Sequence, residues 1–150
     1  MRKRPRTIDL APWPFDDRPR VLVEHPDPDR GLAIGTAIRQ IGIAVGVCTG
    51  PDSGGDPATR CPLHHLQPCV AVEGADLVVT ALPLDTIDGQ GVVRGLRARH
   101  PSTPLVVLAT VGQTLELGAV LTGCTVLAVD APPAEIAAAV ADAMPITARP

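Results

Sequence analysis

The stretch that most restricts the fold lies near the middle of the chain, where residues 76–89 read DLVVTALPLDTIDG. Three consecutive apolar residues, Leu77 to Val79, precede a loop and an Asp-Gly pair. An uninterrupted apolar run is typical of a strand that helices cover on both faces, whereas an alternating run indicates a half-exposed strand. The stretch therefore predicts a buried strand, a loop and, from Asp88, the first turns of a helix.

The same order of strand, loop and helix recurs along the chain. The other predicted strands are Val21 to Val23, Ile43 to Cys48, Leu105 to Leu108 and Thr125 to Val129. The predicted helices run from an N-cap at Asp29 to Gly42, from Asp88 to about Arg99, from Gln113 to Leu121, and onward from Pro133. Alternating strands and helices with right-handed crossovers favour an α/β fold with a doubly wound parallel sheet. A Rossmann-type nucleotide domain is the alternative, and it is disfavoured because HPDPDR, not a glycine-rich turn, follows the first strand.

The central stretch resembles the central strand and following loop of CheY-like response-regulator receiver domains, whose pattern is roughly DLVLLDLMLPGMDG. Without gaps, the two patterns match at Asp76, Leu77, Val78, Leu82, Leu84, Asp88 and Gly89. The resemblance extends from Arg20 to about Met144. It implies a five-stranded parallel sheet in the order 2-1-3-4-5, which is the flavodoxin-like arrangement.

The resemblance also implies that the phosphorylation chemistry of receivers is absent. The phosphoryl-accepting aspartate falls on Ala81, which has no carboxylate. The other receiver site positions fall on His25 and Pro26 for the acidic pair that holds Mg²⁺, Ala109 for the switch hydroxyl, and Val129 for the lysine. Thr110 follows the switch position one residue late. The sequence therefore resembles a degenerate receiver, or pseudo-receiver, with no catalytic residue and no enzymatic activity.

A group of metal-ligating residue types lies between the second and the central strand. Cys61, His64 and Cys69 occur within nine residues, and Cys48 ends the preceding strand. Three thiolates and an imidazole suit zinc or an iron–sulfur cluster, although the spacing matches no standard zinc motif. Two other interpretations stay open: Cys48 as a small buried apolar residue, or a disulfide of Cys61 with Cys69 or Cys48 under oxidising conditions. Apart from this group, the sequence indicates no cofactor.

The ends of the chain differ in composition from its centre. Residues 1–19 form a basic, proline-rich segment, residues 20–145 the receiver-like domain, and residues 146–150 a short tail. The N-terminal segment holds both aromatic residues of the protein, Trp13 and Phe15. We expect either that these aromatics dock into a groove of the domain or of a partner, or that the segment is a loose tail.

Composition narrows the classes of function. A net charge of −3 disfavours a nucleic-acid partner, and no apolar run approaches the roughly 20 residues that span a bilayer. The N-terminus lacks an apolar signal core, so we expect a cytoplasmic protein, and the arginine-rich composition suggests a bacterial source. The predicted function is a non-phosphorylatable regulatory or protein-interaction module of a bacterial signalling system, with homo-oligomerisation left open. The alternative is a thiol- or metal-dependent sensor that uses the Cys61 to Cys69 loop.

Overall fold

A five-stranded parallel sheet forms the centre of the computed structural model, which describes residue 13 and residues 17–49, 69–81 and 87–144. The strands are β1 (Arg20–Glu24), β2 (Ala44–Cys48), β3 (Leu77–Thr80), β4 (Leu105–Ala109) and β5 (Thr125–Ala128). Their spatial order is β2-β1-β3-β4-β5, and every pair is parallel. The predicted sheet order is therefore confirmed.

Helices cover both faces of this sheet. They are α1 (Pro28–Arg39), α2 (Val70–Glu73), α3 (Ile87–Arg99), α4 (Val111–Glu116), α5 (Gly118–Leu121) and α6 (Pro133–Ala143). Buried residues of α1 and α6 pack on one face, and those of α2, α3 and α5 pack on the other. None of the helices among the described residues is both long and apolar enough to cross a bilayer.

Two apolar clusters result, one on each face of the sheet. The first cluster includes Val21, Val23, Ile34, Ile38, Val79, Ile136 and Val140. The second cluster includes Trp13, Leu22, Val72, Val78, Val92, Val93, Leu96, Val107 and Leu121. Successive side chains of a strand point to opposite faces, which explains why Leu22 belongs to one cluster and its neighbours Val21 and Val23 to the other.

The N-terminus of α1 differs from the prediction of an N-cap at Asp29. Asp27 is the N-cap, because its Oδ1 accepts a hydrogen bond from the Asp29 backbone N–H at 3.0 Å. Pro28 occupies the first helical position, where its fixed φ and its missing N–H are both tolerated. The prediction of Asp29 as the N-cap was wrong because Pro28 is the first residue of the helix. The N-cap is therefore the residue before the proline, Asp27.

The segment predicted as one helix from Gln113 to Leu121 is two short helices. Thr110 starts α4 with a capping box: its Oγ1 accepts from the Gln113 backbone N–H at 3.1 Å, and the Gln113 side chain accepts from the Thr110 N–H at 2.9 Å. The α-helix breaks at Leu117 and continues as α5. Gly123 then ends the segment as predicted, with a φ of +82° that disfavours residues with a side chain.

Trp13 lies against the domain and belongs to the second cluster. Its side chain is 6% exposed, and its indole Nε1 donates a hydrogen bond to the Ala71 carbonyl at 2.9 Å. The Arg20 guanidinium lies 6.0 Å from the centre of the indole ring. We expected the two N-terminal aromatic residues either to dock into a groove or to belong to a loose tail. Trp13 docks on the domain, whereas Phe15 lies outside the described residues. The division of the chain at residues 19 and 145 stays a prediction.

Candidate functional site

The carboxyl ends of parallel strands meet at one edge of the sheet, and in open α/β sheets this edge is where ligands bind. Five positions singled out in the sequence lie there, namely His25, Pro26, Ala81, Ala109 and Val129. Each follows or ends a different strand, apart from the adjacent His25 and Pro26. The topology therefore brings these positions to one edge, as expected from the sequence.

The end of β1 offers no free oxygen ligand at His25 or Pro26. His25 Nδ1 accepts a hydrogen bond from the Asp27 backbone N–H at 3.0 Å, and burial lowers the pKa of this imidazole. Pro26 is exposed and has no side-chain ligand atom. Asp27 uses Oδ1 to cap α1. Because Mg²⁺ requires oxygen ligands in near-octahedral geometry, these residues do not fit the magnesium site of a receiver.

The end of β3 carries a small apolar side chain, Ala81, at the position where the resemblance to receivers places the phosphoryl-accepting aspartate. Ala81 is 9% exposed, belongs to the first cluster, and donates its backbone N–H to the Glu24 carbonyl at 2.8 Å. This bond continues the β1–β3 ladder one residue beyond the strand. The methyl group of Ala81 has no atom that could accept a phosphoryl group.

The ends of β4 and β5 are joined by a hydrogen bond from the Val129 N–H to the Ala109 carbonyl at 3.2 Å. Ala109 is buried, and Val129 is exposed. The Thr110 hydroxyl is engaged in the capping box of α4, so it is not placed as a free switch hydroxyl. Neither strand end therefore supplies a cation or a free hydroxyl at the predicted positions.

Arg30 is a cation at this edge that the sequence analysis did not single out. Its guanidinium, which is partly buried, donates a hydrogen bond to the Ala131 carbonyl and so ties α1 to the connection between β5 and α6. A surface arginine on a helix has no distinctive sequence signal. Its hydrogen bond to Ala131 could be identified only from the packing of α1 beside α6.

Of the four predicted metal ligands, Cys48 and Cys69 are described, whereas Cys61 and His64 lie outside the described residues. Cys48 and Cys69 are half-buried, free of disulfides, and packed against the second cluster. Burial raises the pKa of the Cys69 thiol, which favours the protonated form that binds metals poorly. Within the described ranges, no three Cys, His, Asp or Glu side chains come together as a metal site.

A buried polar pair that the sequence analysis did not single out lies just below this edge. Glu24 ends β1, Thr80 ends β3, and the two residues are direct partners in the β1–β3 register. Glu24 is 2% exposed and Thr80 is fully buried. Each of the two residues directly follows a run of three apolar residues at the end of its strand. This shared position in two strands is the sequence signal that could have identified the pair.

Comparison with solved structures places the architecture in a known class. A protein described as pilus assembly-related from Burkholderia pseudomallei has a TM-score of 0.62 and 18% identity, with 87% of this chain and 92% of that chain covered. The chemotaxis protein CheY4 of Vibrio cholerae has a TM-score of 0.61 and 13% identity, covering 85% and 99%. The signal receiver domain of an HD domain-containing protein from Pseudomonas fluorescens has a TM-score of 0.59 and 16% identity, covering 84% and 94%.

The chain therefore has the CheY-like receiver fold. At these identities the similarity concerns the fold alone. No family model and no curated protein matches the sequence.

Proposed function

We propose that this chain is a receiver-like regulatory module of a bacterial signalling system that works through protein interaction and is not switched by phosphorylation. The observation that carries the proposal is Ala81, a buried alanine at the carboxyl end of the central strand. A receiver transfers a phosphoryl group to a carboxylate at this position, and alanine cannot accept one. We therefore propose a non-enzymatic function, in the cytoplasm.

Two further positions support the same conclusion independently of Ala81. Pro26 replaces half of an acidic pair, and Val129 replaces a cation, at the ends of two other strands. The three positions lie on different strands, so an alignment error at one of them would not affect the other two. A working site could be overlooked only if the alignment were wrong at all three strands independently. At these three described positions the side chains lack the acceptor, the metal ligand and the cation of a receiver, and this combination supports the proposal.

The face formed by α4 and β5 is suited to a protein partner. Val111 and Leu115 project from α4 with 79% and 80% of their surface exposed, and Val129 adds a third apolar side chain beside them. These residues line a groove of about 550 Å³ next to the end of β5. Exposed apolar side chains grouped on one face favour association with protein, including a second copy of the chain, and the net charge of −3 disfavours nucleic acid.

Treatment with acetyl phosphate or beryllofluoride in the presence of Mg²⁺ is expected to leave the protein unchanged. The described strand ends provide no carboxylate acceptor at Ala81 and do not fit the metal that must neutralise developing charge. Intact mass and the chemical shifts of the edge residues measure the outcome. A mass increase of one phosphoryl group on an aspartate would contradict the proposal.

The variant Ala81→Asp provides the matched control for this experiment. It restores an acceptor but leaves Pro26 without a ligand atom and Val129 without a charge, so we expect it to stay unlabelled as well. A conventional receiver under identical conditions shows that the reagents are active. Efficient labelling of Ala81→Asp would mean that the remaining edge residues still support the chemistry.

The thiol- or metal-sensor alternative gains no support from the described residues. Cys48 and Cys69 alone do not complete a metal site, and burial raises the pKa of the Cys69 thiol. The alternative stays a prediction of the sequence, and metal analysis of the purified chain tests it.

A further inference from the structure

The indole ring of Trp13 occupies a seat in which polar and apolar contacts are combined. Its Nε1 donates a hydrogen bond to the Ala71 carbonyl at 2.9 Å, and the Arg20 guanidinium lies 6.0 Å from the centre of the ring. The ring also belongs to the second cluster. A hydrogen-bond acceptor, a nearby cation and an apolar wall suit an amphipathic indole that is buried. We call these surroundings, formed by Arg20, Ala71, Gly74 and the second cluster, the indole seat.

Gly74 gives the indole seat its shape. A Cβ atom at this position would lie 2.6 Å from Trp13 Cδ1 and 2.7 Å from Trp13 Nε1, which is closer than real side chains approach one another. The absence of a Cβ is what permits such a close approach to the backbone, and the rigid ring cannot bend away from an added atom. An indole therefore fits the seat only while residue 74 carries no side chain.

The seat and the ring that fills it come from separate parts of the chain. Ala71 belongs to α2, Gly74 is the C-cap of that helix, and Arg20 begins β1. The Arg20 backbone N–H donates to Asp76 Oδ2 at 2.9 Å, which ties β1 to the residue before β3. Residue 13 itself belongs to neither a strand nor a helix, and its described contacts are those of its ring. The domain therefore holds the seat, whereas a single side chain holds the occupant.

A surface cavity of about 580 Å³ adjoins the seat. It is lined on one side by Val72, Glu73, Ala75 and Asp76, and on the other side by residues 99–103. Glu73 and Ala75 are the two sequence neighbours of Gly74. A segment that approaches the seat from solvent therefore finds space directly beside it.

We propose that the indole seat also accepts the Trp13 of a second copy of the chain, so that two copies pair by exchanging these side chains. Trp13 is the single tryptophan of the chain, and its ring is the occupant whose fit the structure shows. In the pair, each copy supplies one seat and one indole, which makes the contact isologous and closes it by two-fold symmetry. Each seat of the pair is complete only with the partner's Trp13.

This pairing goes beyond the proposed function and uses a different part of the molecule. Trp13 belongs to the second cluster, whereas Ala81 belongs to the first, on the opposite face of the sheet. The exposed groove beside α4, which includes Leu115, contains no residue of the seat. Failure of the exchange would therefore leave the proposed function standing, and phosphorylation of the chain would leave the exchange standing.

The pair and two separate chains contain the same number of filled seats, which fixes the concentration at which pairing occurs. In a separate chain, the short connection between residues 13 and 20 holds the ring near its own seat at an effective concentration of about 1 mM. Reciprocal exchange becomes favourable as the chain concentration approaches this value. We therefore expect the ring to lie in its own seat in dilute solution, and the dimer to be about half-populated at about 1 mM.

Two variants that each lack half of the contact test the exchange. Trp13→Ala leaves the seat empty and removes the only tryptophan, whereas Gly74→Ala keeps the tryptophan and blocks its seat. In a mixture, all tryptophan emission comes from the Gly74→Ala chain. We expect a blue shift and weaker quenching by acrylamide as the Trp13→Ala chain is added, because the ring moves from water into the empty seat.

The expected affinity in this mixture is higher than in the parent chain, because neither variant can fill its own seat. Removal of a buried aromatic changes an equilibrium constant by a factor of at least about 100. Half-saturation is therefore expected on the order of 10 μM or below, about 100-fold under the effective concentration of the parent arrangement.

The matched controls are two forms of the receptor chain. Adding Gly74→Ala to the Trp13→Ala receptor blocks its seat and should abolish the blue shift. Adding Gly118→Ala should leave the blue shift unchanged, because a Cβ at Gly118 meets no atom within 4 Å. Two folded variants whose mixture shows no shift, or a shift that the blocked receptor also produces, would overturn the proposal.

Sedimentation equilibrium of the parent chain decides the matter if either variant fails to fold. We expect the dimer to appear as the concentration rises to about 1 mM. Leu115→Asp places a charge on the exposed face of α4 and should dimerise as the parent does, because the exchange does not use that face. A parent chain that stays monomeric at about 1 mM would overturn the exchange. A dimer that Leu115→Asp abolishes would also overturn it, and would assign the association to the groove beside α4.

Discussion

Replacing Trp13 by alanine is expected to lower the free energy of unfolding by about 3 to 5 kcal/mol, the range seen when a large buried aromatic is removed. Trp13 contributes to the second cluster, donates to the Ala71 carbonyl at 2.9 Å, and lies 6.0 Å from the Arg20 guanidinium. The cavity would open beside α2, where the indole donates to the Ala71 carbonyl. Urea denaturation followed by far-UV circular dichroism measures the effect without relying on tryptophan emission.

A pair of glycine variants provides the matched control for this prediction. A Cβ at Gly74 would lie 2.6 Å from Trp13 Cδ1, whereas a Cβ at Gly118 meets no atom within 4 Å. Gly74 has a right-handed helical conformation that alanine also adopts, so the cost of Gly74→Ala comes from contact with the rigid indole. We expect Gly74→Ala to be destabilising and Gly118→Ala to be neutral or slightly stabilising. Equal effects of the two variants, or a change below about 1 kcal/mol for Trp13→Ala, would show that Trp13 is not part of the core.

The sequence alone was sufficient for the sheet because its information lies in local patterns. Uninterrupted apolar runs at β1, β3 and β4 predict buried parallel strands, and the resemblance to receivers supplied their spatial order. Helix ends were less predictable, since two candidate caps compete wherever polar residues adjoin a proline, as at Asp27 and Asp29. The start of α4 was missed for a similar reason, because Thr110 and Gln113 act as a pair that neither residue indicates alone.

The buried polar pair shows a different limit of sequence reasoning. Glu24 reads as the polar end of a strand, and its burial depends on β2, β3 and the segment at Cys69, which are far away in sequence. Only the register of β1 and β3 shows that Thr80 lies opposite it. The positions at the strand ends could be named one by one from the sequence, and their assignment to a degenerate site stays a prediction, whereas this pair required the assembled sheet.

Replacing Glu24 by leucine is expected to stabilise the protein at pH values above neutrality, in contrast to most substitutions of buried residues. With a pKa raised from 4.5 to about 7, the ionised carboxyl reduces the free energy of unfolding by about 3 kcal/mol once the pH exceeds the folded-state value. Leucine fills a similar volume without a charge, so we expect a gain of about 2 to 3 kcal/mol at pH 8. Below the ordinary carboxyl pKa, Glu24 is neutral in both states, and the gain should be small. Urea denaturation at both pH values measures the difference.

Thr80→Val is the control that separates charge from unpaired hydrogen-bonding groups. It removes the second unpaired atom of the pair without changing a titratable group, so its effect on stability should vary little with pH. A gain for Glu24→Leu that is equal at both pH values would mean that packing, and not ionisation, limits stability here. A gain confined to the higher pH would mean that the ionised carboxyl group of Glu24 weakens the fold near neutrality.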